Sequence, residues 1–291
     1  MSWSTGSRMT SSSQTEPAKG KLSVEFASQP GGRTFISRQY FAYPFHVCRP
    51  FYHDAALPGL ATLYVQSCSG GLYENDRLMV DLEAAPLTEA HVTSQASTIV
   101  HGMNGGTAEH DVRIIVGNGA YIEYLPDPQI LFPSSRLEST LSVSLSGSGV
   151  AVVCESFLAH DPEGAQRRFA SFESTIAIKN EVGKELAVDR IVLDGKLSGA
   201  GLIGIDGCFG AQGTFIVAGL SGSFSPLEAS LKSIQFPYPK ATLGVSKLPN
   251  SAGLIVRILA DDGVTLRLAL DRAWSAARQA IKGDLPSPKR K

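Results

Sequence analysis

The segment Val112-Arg113-Ile114-Ile115-Val116, followed by Gly117-Asn118-Gly119 and then by Ala120-Tyr121-Ile122-Glu123-Tyr124-Leu125, decides the fold class. Two short apolar alternations flank a glycine-rich break, and neither is long enough for a helix of ordinary length. Asn118-Gly119 supplies the positive φ angles of a tight turn, so the segment predicts a β-hairpin. The same grammar recurs downstream. Leu141, Val143 and Leu145 alternate with Ser142, Ser144 and Ser146 before Gly147-Ser148-Gly149, the pattern of a strand with one wet face. A strand over 150–153 follows that turn. Ile176 and Ile178, the polar turn 180–184 and the run 186–193 make a third hairpin. From about residue 60 to 218 the chain therefore reads as mainly β, compatible with a sandwich, a barrel or stacked β coils.

Two helices break this pattern. Ser225-Pro226-Leu227-Glu228 has the form of a capping box with proline at the first helical position, which predicts a short helix over 226–233. Leu266, Leu270, Ala273, Trp274, Ala277 and Ile281 fall on one face at helical spacing, Gly283 is placed to terminate, and Pro286 and Pro288 forbid continuation. Arg267, Arg272, Arg278 and Lys282 occupy the flanks of this amphipathic C-terminal helix. Residues 1–20, rich in Ser and Thr with no apolar run, read as a disordered tail; 21–291 show no internal boundary and read as one domain.

Composition narrows the function. With 26 basic and 27 acidic residues in 291, the net charge of -1 leaves no footprint for nucleic acid or an anionic membrane surface. No segment approaches the roughly eighteen apolar residues of a membrane span. Cys48, Cys68, Cys154 and Cys208 are too sparse for a disulfide framework, so a reducing cytoplasm is the expected setting.

Common catalytic signatures are missing from the sequence. The Gly-Lys pairs at 20, 183 and 195 are followed by Leu, Glu and Leu, so there is no Walker loop. Gly201, Gly204, Gly207 and Gly210 recur every three residues, which suits turns and not dinucleotide binding. There is no Gly-x-Ser-x-Gly, His-Glu-x-x-His or Cys-x-x-Cys. His101 and His110 flank glycine-rich 102–106 with Glu109 and Asp111 adjacent, a conceivable surface metal site whose spacing is equally that of solvated loop histidines. Two strand carboxylates stand out instead. Glu155 shares side-chain parity with Ala151, Val153 and Phe157, and Asp189 with Ala187, Ile191 and Leu193, so both point inward. A buried carboxylate needs a partner, either Arg168 or Arg190, or a wet path able to hold a divalent cation weakly.

Three further segments occur in fixed order: Ser69-Gly70-Gly71-Leu72-Tyr73-Glu74-Asn75-Asp76-Arg77, then Thr93-Ser94-Gln95-Ala96-Ser97-Thr98, then Tyr124-Leu125-Pro126-Asp127-Pro128. With Gly253-Leu254-Ile255-Val256-Arg257 and the closing Leu266-Arg267, Trp274, Arg278, Gly283 and Pro288, they resemble the UreD (UreH) family of urease accessory proteins from about Phe35 to the end. The family commonly has a glycine pair where this chain has Glu74-Asn75, and a glutamate at Asp189. The resemblance implies stacked, β-helix-like coils with two helices, one at the C-terminus. It also implies a non-catalytic scaffold that joins apo-urease to UreF and the GTPase UreG and helps deliver nickel, carried in transit through an internal polar tunnel. Carried across by motif position, Asp76, Glu155 and Asp189 become transit ligands and Thr98 a tunnel-lining residue. From the exposed basic flank of the terminal helix, Trp274, Arg278 and Lys282, with the tail after Gly283, are expected to contribute to the UreF-facing surface. The competing readings are a β-rich hydrolase and a β-coil binding module without metal function.

Overall fold

Residues 117–119 do not close a hairpin; they carry the chain from one sheet to another. The computed structural model describes residues 19–198, 209–220, 222, 224–237 and 240–288. Its first strands are β1 (Lys19–Ser28), β2 (Thr34–Phe41) and β3 (Phe45–Val47). Next come β4 (Ala61–Ser67), β5 (Arg77–Ala84), β6 (Glu89–Ser94), β7 (Thr98–Val100), β8 (Ala108–Val116), β9 (Tyr121–Tyr124) and β10 (Gln129–Leu131). Then follow β11 (Arg136–Leu145), β12 (Val150–Ala159), β13 (Ser171–Asn180) and β14 (Glu185–Asp194). The chain closes with α1 (Gly195–Ser198), β15 (Ala211–Ala218), α2 (Ser225–Lys232), β16 (Ala241–Lys247), β17 (Gly253–Ala260) and α3 (Gly263–Lys282).

One sheet has the order β14-β13-β11-β8-β5-β1-β2, the other β16-β17-β15-β12-β9-β6-β4-β3. Between β4 and β13 the chain visits the two sheets by turns, and neighbouring strands within each run parallel. β7 and β10 pair with each other, and β10 with the end of β12, giving the coils a short third side. This is a stack of β coils, as the family resemblance implies. Antiparallel strands close both ends, including the β13–β14 hairpin that the polar turn 180–184 predicts.

The corner at 117–119 differs from a hairpin because its flanking strands find partners in other coils. Gly117 lies so close to the preceding corner that a Cβ there would sit 2.7 Å from the Pro86 nitrogen, which is why glycine occupies it. Asn118 Oδ1 accepts from the backbone N–H of Ser148 at 3.0 Å, tying this corner to the next. The segment 147–149 does the same job between β11 and β12.

Two apolar layers result. Leu22, Val24, Phe26, Val80, Leu82, Ile114, Val143, Val153 and Ile216 fill the space between the sheets. Val152, Phe215, Val217, Val256, Leu266, Leu270, Ala273 and Trp274 fill the space between the second sheet and the helices. The stripe predicted for α3 is thus core. Asp262 caps its start by accepting from Thr265 N–H at 2.7 Å, and Gly283 ends it at φ 86°. The predicted capping box is not realised in α2: the N-cap is Phe224, and Glu228 is drawn to Lys232 at 2.6 Å and Lys247 at 3.4 Å. The one-turn α1 has no counterpart in the sequence reading.

Of the expected tail, Lys19 and Gly20 already belong to β1, paired with Arg77 and Leu78 of β5. Residues 1–18, the glycines at 201, 204 and 207, and the last residues 289–291 lie outside the described residues. No helix among the described residues is long and apolar enough to cross a membrane.

Candidate functional site

Strand alternation delivers a polar row into the space between the sheets. On the first sheet, Leu78, His110, Ser139 and Ser174 are register partners across β5, β8, β11 and β13. On the second, Glu155, Thr214 and Arg257 are partners across β12, β15 and β17. The two rows meet. Ser174 Oγ donates to Glu155 Oε2, Ser139 also hydrogen-bonds Glu155, and Arg257 reaches across to Asp189 of β14. Arg257 Nη1 donates to Thr214 Oγ1 at 3.0 Å.

The inward parity of Glu155 and Asp189 is therefore as expected, but the cation is neither Arg168 nor Arg190. Arg190 pairs with Glu173 at 3.4 Å on the outer face, whereas Arg257 comes from the Gly253–Arg257 motif, 68 positions from Asp189. Desolvation pushes the Glu155 carboxyl above its usual range, and the neighbouring Asp189 adds to this against the serine hydroxyls and Arg257. Desolvation raises Asp189 too, against the opposing pull of Arg257. Asp189 Oδ2 is buried and has no hydrogen-bond partner among the described residues.

The inner end of the row opens on a cavity of about 460 Å³. Ser69, Gly71, Thr93, Thr98, His110 and Gln129 are among its lining residues, so the first two sequence motifs form one wall. Pro126 and Asp127 of the third motif also line it. Gln129 Nε2 lies 3.5 Å from His110 Nδ1, while Gln129 Oε1 is buried and unpartnered among the described residues. Burial lowers the His110 pKa to about 4, so the imidazole is neutral near pH 7 despite the adjacent Asp111. Since His110 and Ser139 are register partners, cavity and carboxylates form one polar path.

Asp76 is buried but does not line the cavity. Its Oδ2 accepts from Tyr73 N–H at 2.8 Å and its backbone oxygen from Glu109 N–H at 2.8 Å, fixing the turn into β5. Asn75 there adopts φ 65°, a left-handed conformation that asparagine tolerates. The His101–His110 metal site does not form. His101 stacks on Tyr73, His110 faces inward, and Glu109 and Asp111 face outward to Arg77 and Thr140. Among the described residues no three His, Cys, Asp or Glu side chains are grouped to cage a metal ion, so Asp76, Glu155 and Asp189 do not make one three-ligand site.

The C-terminal helix carries a second polar cluster, which the sequence reading missed. Glu123 of β9 is fully buried, and it accepts from Arg278 Nε at 2.8 Å, Arg278 Nη2 at 2.6 Å, Trp274 Nε1 at 2.8 Å and Tyr121 Oη at 2.6 Å. His91 Nδ1 lies 2.7 Å from Glu123 Oε2, the oxygen that Arg278 Nη2 also bonds, and Arg278 Nη1 donates to Asp54 Oδ2 at 2.7 Å. Desolvation favours the protonated acid, but hydrogen bonds from His91 and Arg278 outweigh it and hold Glu123 far below the usual carboxylate range. Desolvation also drives the Tyr121 hydroxyl well above its ordinary value.

Trp274 and Arg278 are accordingly 7% and 1% exposed, and these side chains do not form a partner-facing surface in this structure. Lys282 is partly accessible and bonds Glu89 at 2.6 Å. The available signal was Glu123 itself, a single charge inside the apolar run 120–125.

Residues 18–291 match the family described as UreD urease accessory protein. The chain belongs to the UreD family. It is 37% identical over 273 residues to urease accessory protein UreD 1 of Pseudomonas syringae pv. tomato, covering 94% of this chain and 96% of that one. It is also 37% identical to UreD 1 of Methylorubrum populi, over 93% of this chain and 91% of the relative, and 37% identical to UreD 3 of Bradyrhizobium sp. ORS 278, over 97% of each. Membership of the UreD family supports a role in urease maturation, and the motifs behind the resemblance form the cavity wall and supply Arg257 to the polar path.

Proposed function

We propose that this chain is a non-catalytic scaffold of urease maturation that joins apo-urease to UreF and UreG, and that its inter-sheet polar path carries nickel in transit. The observation that supports transit is the continuity from the cavity at Thr98, Gln129 and His110, through Ser139, to Glu155 and Asp189. Oxygen donors with one neutral imidazole suit a divalent first-row ion, and spacing them singly instead of in a cage keeps each contact exchangeable. Asp189 Oδ2 adds a buried acceptor with no hydrogen-bond partner among the described residues.

For partner binding, the outward side of α3 is the surface proposed to meet UreF. Val264 and Leu268, 80% and 46% exposed, stand one turn apart on that side. The transit test is co-expression of urease with the double variant Glu155→Ala/Asp189→Ala, followed by measurement of enzyme-bound nickel. A marked loss of nickel with the UreF and UreG complex intact is expected. Unchanged nickel content would overturn the transit reading.

A further inference from the structure

Among the described residues of the polar path, Arg257 is the one permanent cation, and it stands at the outer end. Its side chain is 38% exposed, whereas that of Asp189 is 17% exposed, so the pair closes the path where it meets solvent. One guanidinium nitrogen holds Asp189 Oδ1 and another holds Thr214, leaving Asp189 Oδ2 buried without a bond among the described residues. An ion that takes both oxygens of Asp189 must displace this guanidinium from Oδ1.

The sheet offers the displaced group a place to go. Gly244 on the outermost strand β16 is the register partner of Arg257, so the two face the same side of the sheet. A Cβ at Gly244 would meet nothing within 4 Å among the described residues. Its φ is not in the positive range that demands glycine, so backbone conformation does not account for the empty space.

We propose that Arg257 is a swinging counter-ion that selects divalent cations at the mouth of the path: it holds Asp189 while the path is empty and moves over Gly244 when a divalent ion takes the carboxylate. Charge supplies the selection. A monovalent ion brings the same charge as the guanidinium without its hydrogen bond to Thr214, whereas a divalent ion doubles the Coulomb attraction to Asp189. This inference rests on the transit reading, but its test does not use urease.

The test is equilibrium dialysis of nickel ions against the full chain in complex with UreF, for wild type, Arg257→Met, Arg257→Met/Asp189→Asn and Gly244→Val. Arg257→Met is expected to bind nickel about tenfold more tightly, because Asp189 loses its competitor, and added potassium is expected to weaken that binding far more than in wild type. The double variant is expected to lose the gain. Gly244→Val, at an exposed position, fills the space and is expected to weaken nickel binding while leaving the thermal midpoint in place. Unchanged or weaker binding by a folded Arg257→Met overturns the proposal, and so does unaltered binding by Gly244→Val. Failure of the transit reading is a different result: normal urease nickel in the Glu155→Ala/Asp189→Ala variant.

Discussion

Arg278 on the last helix donates to both carboxylate oxygens of Glu123, 155 positions earlier in the chain. The two side chains are 1% and 0% exposed, so the pair fixes α3 on the second sheet from inside the core. Its worth lies in completeness: Trp274, Tyr121 and His91 contact the same carboxylate, and Asp54 takes a further guanidinium nitrogen.

Removing the arginine leaves two buried carboxylates short of a partner. Arg278→Met is therefore expected to destabilise the chain by about 3–5 kcal/mol, read as a lower urea midpoint in circular dichroism. The double variant Glu123→Leu/Arg278→Met removes both charges and is expected to cost less than the sum of the single changes. An Arg278→Met midpoint equal to wild type would show that the cluster does not hold the helix.

His110 gives stability a pH dependence of known sign. Its pKa is 6.5 when unfolded and about 4 in the folded chain, so between these values the unfolded state binds more protons. Stability therefore falls as pH drops from 6.5 toward 4, by roughly 2 kcal/mol from this residue. Raised carboxyl groups such as Glu155 and Asp189 act the other way, adding stability at low pH that is lost as pH rises through their folded values. Comparing Arg278-intact proteins, wild type against His110→Gln, isolates the histidine: the variant is expected to lose this acid limb in urea titrations across the window. Parallel curves for the two proteins would refute the assignment.

The sequence shows which residues alternate, but not which strands they join. Leu141, Val143 and Leu145 announce a half-wet strand because parity is local, and Glu155 and Asp189 are legibly inward for the same reason. Gly117-Asn118-Gly119 misleads because a hairpin turn and a corner between stacked coils need the same residues. What separates them is the parallel pairing of β8 with β5 and β11, a non-local fact. Arg257 was visible as part of a motif and invisible as a partner of Asp189. Arg278 reads as part of the wet flank because arginine is rarely buried, and the two carboxylates that make its burial tolerable, Glu123 and Asp54, lie 155 and 224 positions away in sequence.

Gly71 is the point where the first motif touches the third side of the coils. It adopts φ 138°, and a Cβ there would collide with the Ile99 carbonyl oxygen, while neighbouring Leu72 N–H donates to that same oxygen at 2.8 Å. Gly71→Ala must push the motif away from β7 and is expected to cost about 1–3 kcal/mol. The loss is read as a lower thermal midpoint together with faster amide exchange at Leu72 and His101. Wild-type exchange at both amides would mean that the close approach is not required.

The outward face of α3 provides the cleaner test of partner binding, because removing the tail disturbs the buried cluster. Ser287 lies against the Asp54 loop, its Oγ accepting from Ala55 N–H at 3.1 Å, so truncation after Lys282 also loosens the surroundings of Arg278. Leu268 makes no such demand: it is 46% exposed on a helix whose opposite side is packed. Leu268→Asp is expected to leave the urea midpoint within about 0.5 kcal/mol of wild type, as surface changes do. If this face meets UreF, the same substitution places an unpaired charge in an apolar contact and weakens the complex about tenfold or more in a titration binding assay. Full-strength binding by Leu268→Asp and by Val264→Asp would remove the outer face of α3 from the interface.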